Sequence, residues 1–445
     1  MMAAEMILNI ILYSVVMLTG LWLTYISTRN VLSPVFWVIV YWMCAYIGGI
    51  WIYLALGHSL TPLCIALGVF AYGLGTILCR LVSGFSTTRE WNNWQLRPVI
   101  DNFRNRNQVA LLSFTITMLA LLFLVFRWLL GFDPFIHAIR SIVYLQTREN
   151  RLIWFYKNTL NCGLPLLSMT SYLIWRLLKN KMSKFYLLLF LLTTISLLLT
   201  QIWWVSRGYL LGYLVFLIMC EGLIKKRSLA VISILALLLI VAGLVGAVLI
   251  DVGKTGLSFD ASLARILHRI FWGQSAAVDY FIYRWVPTDG FLMGKGMLTG
   301  WYNILAFLQL VPYKPYPAFQ AHAEVCSSKG ANMVSIFIGD YYLDWGFAGV
   351  IIGAFLLGIF MYSLFVWTIR GSKDALSIAF KIYMMKAGAS LALGGGYFSS
   401  LLKEIIIGAI FLFIFLIVYT IISLPFGSII YLGHKMPRRK EGLGL

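Results

Sequence analysis

The chain has 445 residues, 61% hydrophobic and only 11% charged, with 35 Lys and Arg against 16 Asp and Glu and a formal net charge of +19. Ordinary soluble domains carry about a quarter charged residues, so a water-soluble globule of this size is excluded, and the apolar content excludes disorder. The basic excess is therefore read as membrane topology and not as a nucleic-acid footprint.

The expected fold class is all-α, a polytopic integral membrane protein. A helix needs about 20 apolar residues to cross the hydrocarbon. Eleven segments meet that demand: 6–27, 35–56, 61–82, 109–130, 159–178, 186–205, 207–224, 229–250, 347–369, 375–393 and 405–430. The first is a span and not a cleaved signal, because it lacks a positive n-region and its apolar run is long enough to cross.

Basic residues orient the spans. One set of connections carries nineteen of them, including Arg29, Arg80, Arg176, Lys225, Arg370 and the tail Lys435–Lys440, and the alternate set carries thirteen. The richer set is expected in the cytoplasm, which puts the N-terminus outside and the C-terminus inside. Residues 1–445 then form a single transmembrane domain. Segment 131–158 becomes a short outer basic helix or loop, and 251–346 a large outer loop with interfacial helices.

The outer side is unexpectedly basic. Segment 137–158 reads as a helix on which Arg140, Tyr144, Arg148 and Arg151 fall within an arc of about 80°, with Glu149 pointing away. Arg suits phosphate because its planar fork donates two parallel hydrogen bonds. Arg207 sits at the tip of a tight outer hairpin, at a helix N-terminus that already favours anions. Segment 261–285 reads as a second amphipathic helix, with Arg265, His268, Arg269 and Trp272 on one face and Leu263, Ile266, Leu267 and Ile270 on another.

Gly294-Lys295-Gly296 lacks the Ser/Thr and upstream Gly of a P-loop, yet small residues around Lys295 let backbone approach an anion. His322 and Glu324 stand two apart in a Pro-rich outer stretch. The most distinctive run is Gly330-Ala331-Asn332-Met333, followed by Asp340-Tyr341-Tyr342-Leu343-Asp344-Trp345-Gly346-Phe347-Ala348-Gly349. It reads as a polar, aromatic half-helix entering an apolar span. Asp340 and Asp344 lie one turn apart on one face, where carboxylates at the mouth of a span are expected to face a cavity. The six cysteines have no metal-binding spacing, and no metal site is expected.

Gly-x-Asn-Met followed by Asp-x-x-x-Asp-Trp-Gly-x-x-Gly, running into a final trio of spans, resembles the bacterial oligosaccharide repeat-unit polymerases. These are the Wzy-type O-antigen and capsule polymerases, related to the O-antigen ligases. Arg207-Gly208 opening a span resembles the family's Arg at that point. Ligases place His directly before the Asn, where this chain has Ala331.

The resemblance implies a GT-C-like, metal-independent, inverting glycosyltransferase of lipopolysaccharide or capsule polysaccharide biosynthesis, without a cofactor, in the bacterial cytoplasmic (inner) membrane. Its donor is a glycan on undecaprenyl diphosphate, its acceptor a lipid-linked repeat unit, and its further partners are membrane lipids and a chain-length regulator protein; nucleic acid is not among them. On this reading Arg207, Arg140, Arg148, Arg151, Arg265, Arg269 and Lys295 bind diphosphate, with Tyr144 and Asn332 beside the site. The general base comes from Glu324, His322, Asp344, Asp340 or His268. The rival readings are a flippase for lipid-linked oligosaccharide and an O-antigen ligase.

Overall fold

The computed structural model describes residues 2–29, 33–85, 151–177, 183–203, 256–296, 336–371 and 375–392, with Glu90 and scattered residues of 213–252, 298–310 and 405–417. Among these residues every regular element is a helix: α1 (Met2–Thr28), α2 (Pro34–Leu56), α3 (Leu60–Ser83), α4 (Arg151–Leu177), α5 (Ser183–Trp203), α6 (Phe259–Tyr280), α7 (Val286–Asp289), α8 (Phe337–Arg370) and α9 (Ala375–Ala392). A π-helical turn, Phe281–Trp285, joins α6 to α7. The chain divides into two compact units. One holds α1–α3, α6–α8 and nearly all of α9, and the other holds α4 and α5.

Ala4–Thr28, Val35–Leu56, Leu60–Ser83 and Phe337–Arg370 are long and apolar enough to cross a membrane, and Lys184–Leu197 adds a shorter apolar helix. Their outward faces are bare hydrocarbon, such as Ile7, Leu8, Ile11, Leu12 and Val15 on α1 and Ile351, Ile352 and Leu356 on α8. Exposed apolar surface of this extent marks contact with lipid. The described residues are all-helical, with four helices able to span a membrane. Helices α1, α2, α3 and α9 coincide with expected spans. The expected spans 109–130, 207–224, 229–250 and 405–430 fall outside the continuously described residues.

Local sequence sets the helix ends. Ser33 caps α2 by accepting the Val35 N–H at 3.3 Å, Pro34 opens the first turn, and Gly57 closes it with a left-handed φ of 75° and an N–H donated to the Tyr53 carbonyl at 2.9 Å. These are the standard N-cap and C-cap solutions for orphan backbone groups. Helix α4 differs from the expectation. The basic helix ending at 158 and the span starting at 159 are one helix, Arg151–Leu177, with Pro165 inside it. Nothing between Arg151 and Asn161 is a helix breaker, so no boundary forms there.

In the first unit α3 is the hub. Gly20 of α1 lies against Val69 and Phe70, and Gly73 lies against Gly20. Gly75 meets the backbone of Phe355, and Gly358 that of Tyr72. Lipid tails are as apolar as Leu, so membrane helices associate where small residues let backbones close up. The pairings advance in the same sense along both partners, and Cys79 Sγ continues the register with Ser363 Oγ at 3.3 Å. Helices α1, α3 and α8 are therefore parallel.

Their ends bring Arg29, Arg80 and Arg370 to one pole. Arg80 donates to the Ile26 carbonyl at 2.6 Å, and Arg370 lies over the Phe85 ring at 5.2 Å and 3.6 Å from Glu90. The α2–α3 turn lies at the other pole.

Helix α8 is not the straight entry helix the sequence predicts. Trp345 (φ −144°, ψ 20°) and Gly346 (φ 63°, ψ −149°) leave the helical region. The first two turns, Phe337–Asp344, fold back beside the span that follows. Ile338 and Val350 both pack on Gly68, and Tyr341 covers Gly349 and Gly353. Phe337 stacks on Trp42, midway along α2, with ring centroids 6.1 Å apart. The half-helix thus starts in the middle of the bundle and runs back toward the pole of the α2–α3 turn. It is buried from Ile336 to Asp344. The end of the expected outer loop 251–346 is core.

Helix α6 and the π turn form over the expected range 261–285. Ser258 caps it by accepting the Ala261 N–H at 3.3 Å, and Asp260 suits its positive end. Its packing face is small and aromatic. Ser275 donates to the Ala45 carbonyl of α2 at 2.8 Å, Gly48 abuts the Phe271 backbone, and Ala277 and Val278 are buried. Leu263, Ile266 and Leu267 are half-buried and Ile270 is exposed. The packing face follows close backbone approach, as at α3, and not side-chain hydrophobicity.

Candidate functional site

The loop after α7 closes on the end of the half-helix. The carbonyls of Leu343 and Asp344, orphaned where the helix stops, accept the N–H groups of Leu292 and Met293 at 3.0 and 3.1 Å. The Gly296 N–H donates to Asp344 Oδ1 at 3.0 Å, and a methyl group at position 296 would meet both carboxylate oxygens at 2.7 Å. The Gly-Lys-Gly stretch does bring backbone to an anion, and that anion is Asp344. The Lys295 side chain stays exposed. Asp340 and Asp344 share one face, as their spacing requires, and are 1% and 0% exposed. They do not stand at an open mouth.

A second polar cluster sits at the same pole and joins three elements far apart in sequence. His58, in the α2–α3 turn, places Nδ1 3.0 Å from both carboxylate oxygens of Asp279, near the end of α6. Thr61 donates its hydroxyl to Asp279 Oδ1 at 2.7 Å. A carboxylate only accepts, so in the neutral imidazole Nδ1 carries the proton and Nε2 keeps the lone pair. The ring lies flat on Tyr283 of the π turn, with centroids 3.9 Å apart and planes 16° apart. The Leu60 N–H donates to the Tyr283 hydroxyl at 2.9 Å. Burial pushes the Tyr283 phenol above its usual range, while the bonds from Leu60 and with Ser59 pull it back. The phenol therefore stays protonated at neutral pH and serves as a platform for the imidazole. His58 is about one-third exposed and Asp279 about one-seventh. Such a pair fixes the tautomer and aim of an imidazole.

Sequence reasoning did not single out His58 or Asp279, since the two are 221 residues apart and neither lies in a recognisable motif. The available signal was a lone His directly after a helix-ending Gly. Of the expected site residues, Arg265 is exposed on α6. His268 is exposed, stacks on Trp272 at 5.5 Å and meets the likewise exposed Trp51 of α2 edge-on at 5.9 Å. Arg269 lies within α6 and Arg151 opens α4. Arg140, Tyr144, Arg148, Arg207, His322, Glu324 and Asn332 lie outside the described residues. Among the described residues no cluster of three His, Cys, Asp or Glu could hold a metal. An open cleft lined by Ile26, Ile77, Arg80, Leu81, Gly84 and Phe85 lies at the arginine-bearing pole, away from both polar clusters.

Comparison with protein-family models, with curated proteins and with solved structures gives no match.

Proposed function

We propose that the protein is a polymerase of lipid-linked oligosaccharide repeat units. It transfers a glycan from undecaprenyl diphosphate to a sugar hydroxyl of an incoming repeat unit, with inversion and without metal, on the outer face of a bacterial cytoplasmic membrane. The observation that carries this reading is a coincidence of place. The stretch that carries the family resemblance, Asp340 to Gly349, is the reversal of α8, and the pole to which it returns also holds the oriented His58–Asp279 pair. Transfer of this kind needs a proton acceptor for the hydroxyl and cations where the diphosphate charge develops. Arg265 and the arginines of 140–151 and 207 are assigned the second task. On the expected eleven-span topology, with the N-terminus outside, that pole lies outside.

The deciding experiment is incubation of the purified protein with a synthetic undecaprenyl-diphosphate-linked repeat unit. A ladder of products at repeat-unit spacing is expected. Unchanged substrate under conditions where the protein stays folded would remove the assignment.

The broken helix α8 also favours a second reading, since discontinuous helices that start in mid-bundle are common in transporters. A flippase would move the same lipid-linked substrate across vesicles without lengthening it. Alternating-access transporters of that plan usually repeat the break at a matching position. Among the described helices only α8 has non-helical backbone inside it.

A further inference from the structure

We propose that His58 is the general base of the transfer and that Asp279 is its positioning residue; the inference rests on the glycosyl-transfer reading above. Three features carry it. The Nδ1 side of the ring is fully committed to Asp279, whose Oδ1 is itself held by Thr61, so the tautomer and the direction of Nε2 are set. Stacking on Tyr283 fixes the ring plane. Among the described residues Nε2 makes no hydrogen bond, and the side chain is exposed enough to meet a substrate. A pair that served only to pin the α2–α3 turn to α6 would need the Nδ1 bond alone. Here α3, α6 and the π turn all contribute to aiming one nitrogen outward.

In the step itself, the acceptor hydroxyl gives its proton to Nε2 as its oxygen bonds to the anomeric carbon. The bond from that carbon to the diphosphate oxygen breaks, and its electron pair leaves with the diphosphate. Asp279 stabilises the imidazolium that forms, and the proton then passes to water. Asp344 is less suited to this role because its carboxylate is held by Gly296 inside the core.

The test uses the full-length protein in detergent or vesicles with the lipid-linked repeat unit. His58→Asn keeps an N–H donor close to the Nδ1 position and removes the acceptor, so a purely structural pair survives the change. A positioned base contributes roughly 10²–10⁴ in rate. The variant is therefore expected to lose at least about 100-fold in kcat, with an unchanged thermal midpoint and little change in KM. Free imidazole is expected to restore part of the activity to His58→Ala in proportion to its unprotonated form, which a folding defect would not allow.

In Asp279→Asn kcat is expected to fall with little change in KM, because the tautomer and aim of Nε2 are no longer set. A folded His58→Asn within about threefold of wild type, or His58→Ala with no imidazole response, would overturn the role of His58 while leaving the polymerase reading intact. A wild-type protein that makes no ladder removes the polymerase reading itself.

Discussion

Tyr341 lies against Gly353, twelve residues further along the same helix. In a straight helix the two would be about 18 Å apart. Their contact measures how completely α8 folds back on itself. The fold-back puts a polar turn, with Asp340 and Asp344, where an ordinary span would carry only apolar side chains.

The reversal depends on two glycines. Gly346 has φ 63° and ψ −149°, a region essentially reserved for glycine, and a residue forced into it costs about 1–3 kcal/mol. Gly353 has no room for a methyl group beneath the Tyr341 ring. Gly346→Ala and Gly353→Ala should each lower the thermal midpoint of the purified protein, the second by overpacking of about 1–3 kcal/mol. Tyr341→Leu combined with Gly353→Ala should recover part of the loss, because the clash is between those two residues. Wild-type melting of both single variants would mean that the helix is straight.

The Gly296 amide and the Asp344 carboxylate form the latch that holds the 291–296 loop on the half-helix. Gly296→Ala presses a methyl group on that carboxylate and should destabilise by about 1–3 kcal/mol. Asp344→Asn keeps an oxygen that accepts from Gly296, while Asp344→Ala leaves a buried N–H unmet at a cost of about 1–3 kcal/mol. Asp344→Ala should therefore melt below Asp344→Asn. The reverse order in a thermal-shift assay would show that acceptance of the Gly296 N–H is not what holds the loop.

The spans α1, α2 and α3 were legible because crossing a bilayer is a sum over about 20 residues: hydropathy alone located them within a few residues. The reversal of α8 was not, because it rests on the backbone angles of Trp345 and Gly346. Hydropathy integrates over a window, and one dihedral leaves no mark on it. Nor was the packing face of α6 legible, for a related reason. A stripe of Leu and Ile marks the buried side of a helix in water, but beside lipid the buried side is the one with Ser275, Ala277 and Val278. The spacing that put Asp340 and Asp344 on one face held, because i, i+4 geometry is local. The His58–Asp279 pair was invisible, because it is made by tertiary packing across 221 residues.

The poles give a direct test of orientation. Arg29, Arg80 and Arg370 share one end of three parallel helices, and basic residues collect on the cytoplasmic side. In a cysteine-free background, single cysteines in 131–158 and 251–296 and at Ser59 should react with a membrane-impermeant maleimide added outside. Cysteines at 83–107 and 177–184 should react only after the membrane is opened. Outside labelling at 83–107 would invert the topology and place His58 in the cytoplasm.

If cationic side chains alone neutralise the leaving diphosphate, polymer should form at an undiminished rate in excess EDTA. Activity lost to EDTA and restored by Mg²⁺ or Mn²⁺ would mean that a metal supplies the charge.

Arg207 is the sharpest point of the diphosphate assignment. Its position at an expected outer helix N-terminus means that free N–H groups and the helix dipole already favour an anion there. A guanidinium adds two parallel donors to the same phosphate. The competing explanation is that Arg207 merely keeps a short hairpin on its side of the membrane, for which any positive charge suffices. Arg207→Lys separates the two, because Lys keeps the charge and loses the fork. Removing one preorganised donor at a developing oxyanion typically costs roughly 10²–10³ in rate, and the ammonium recovers part of that. Arg207→Lys should therefore insert normally, label from the same side as wild type, and polymerise at least about tenfold more slowly. A fully active variant would take Arg207 out of the site and leave Arg140, Arg148 and Arg151 as the diphosphate clamp.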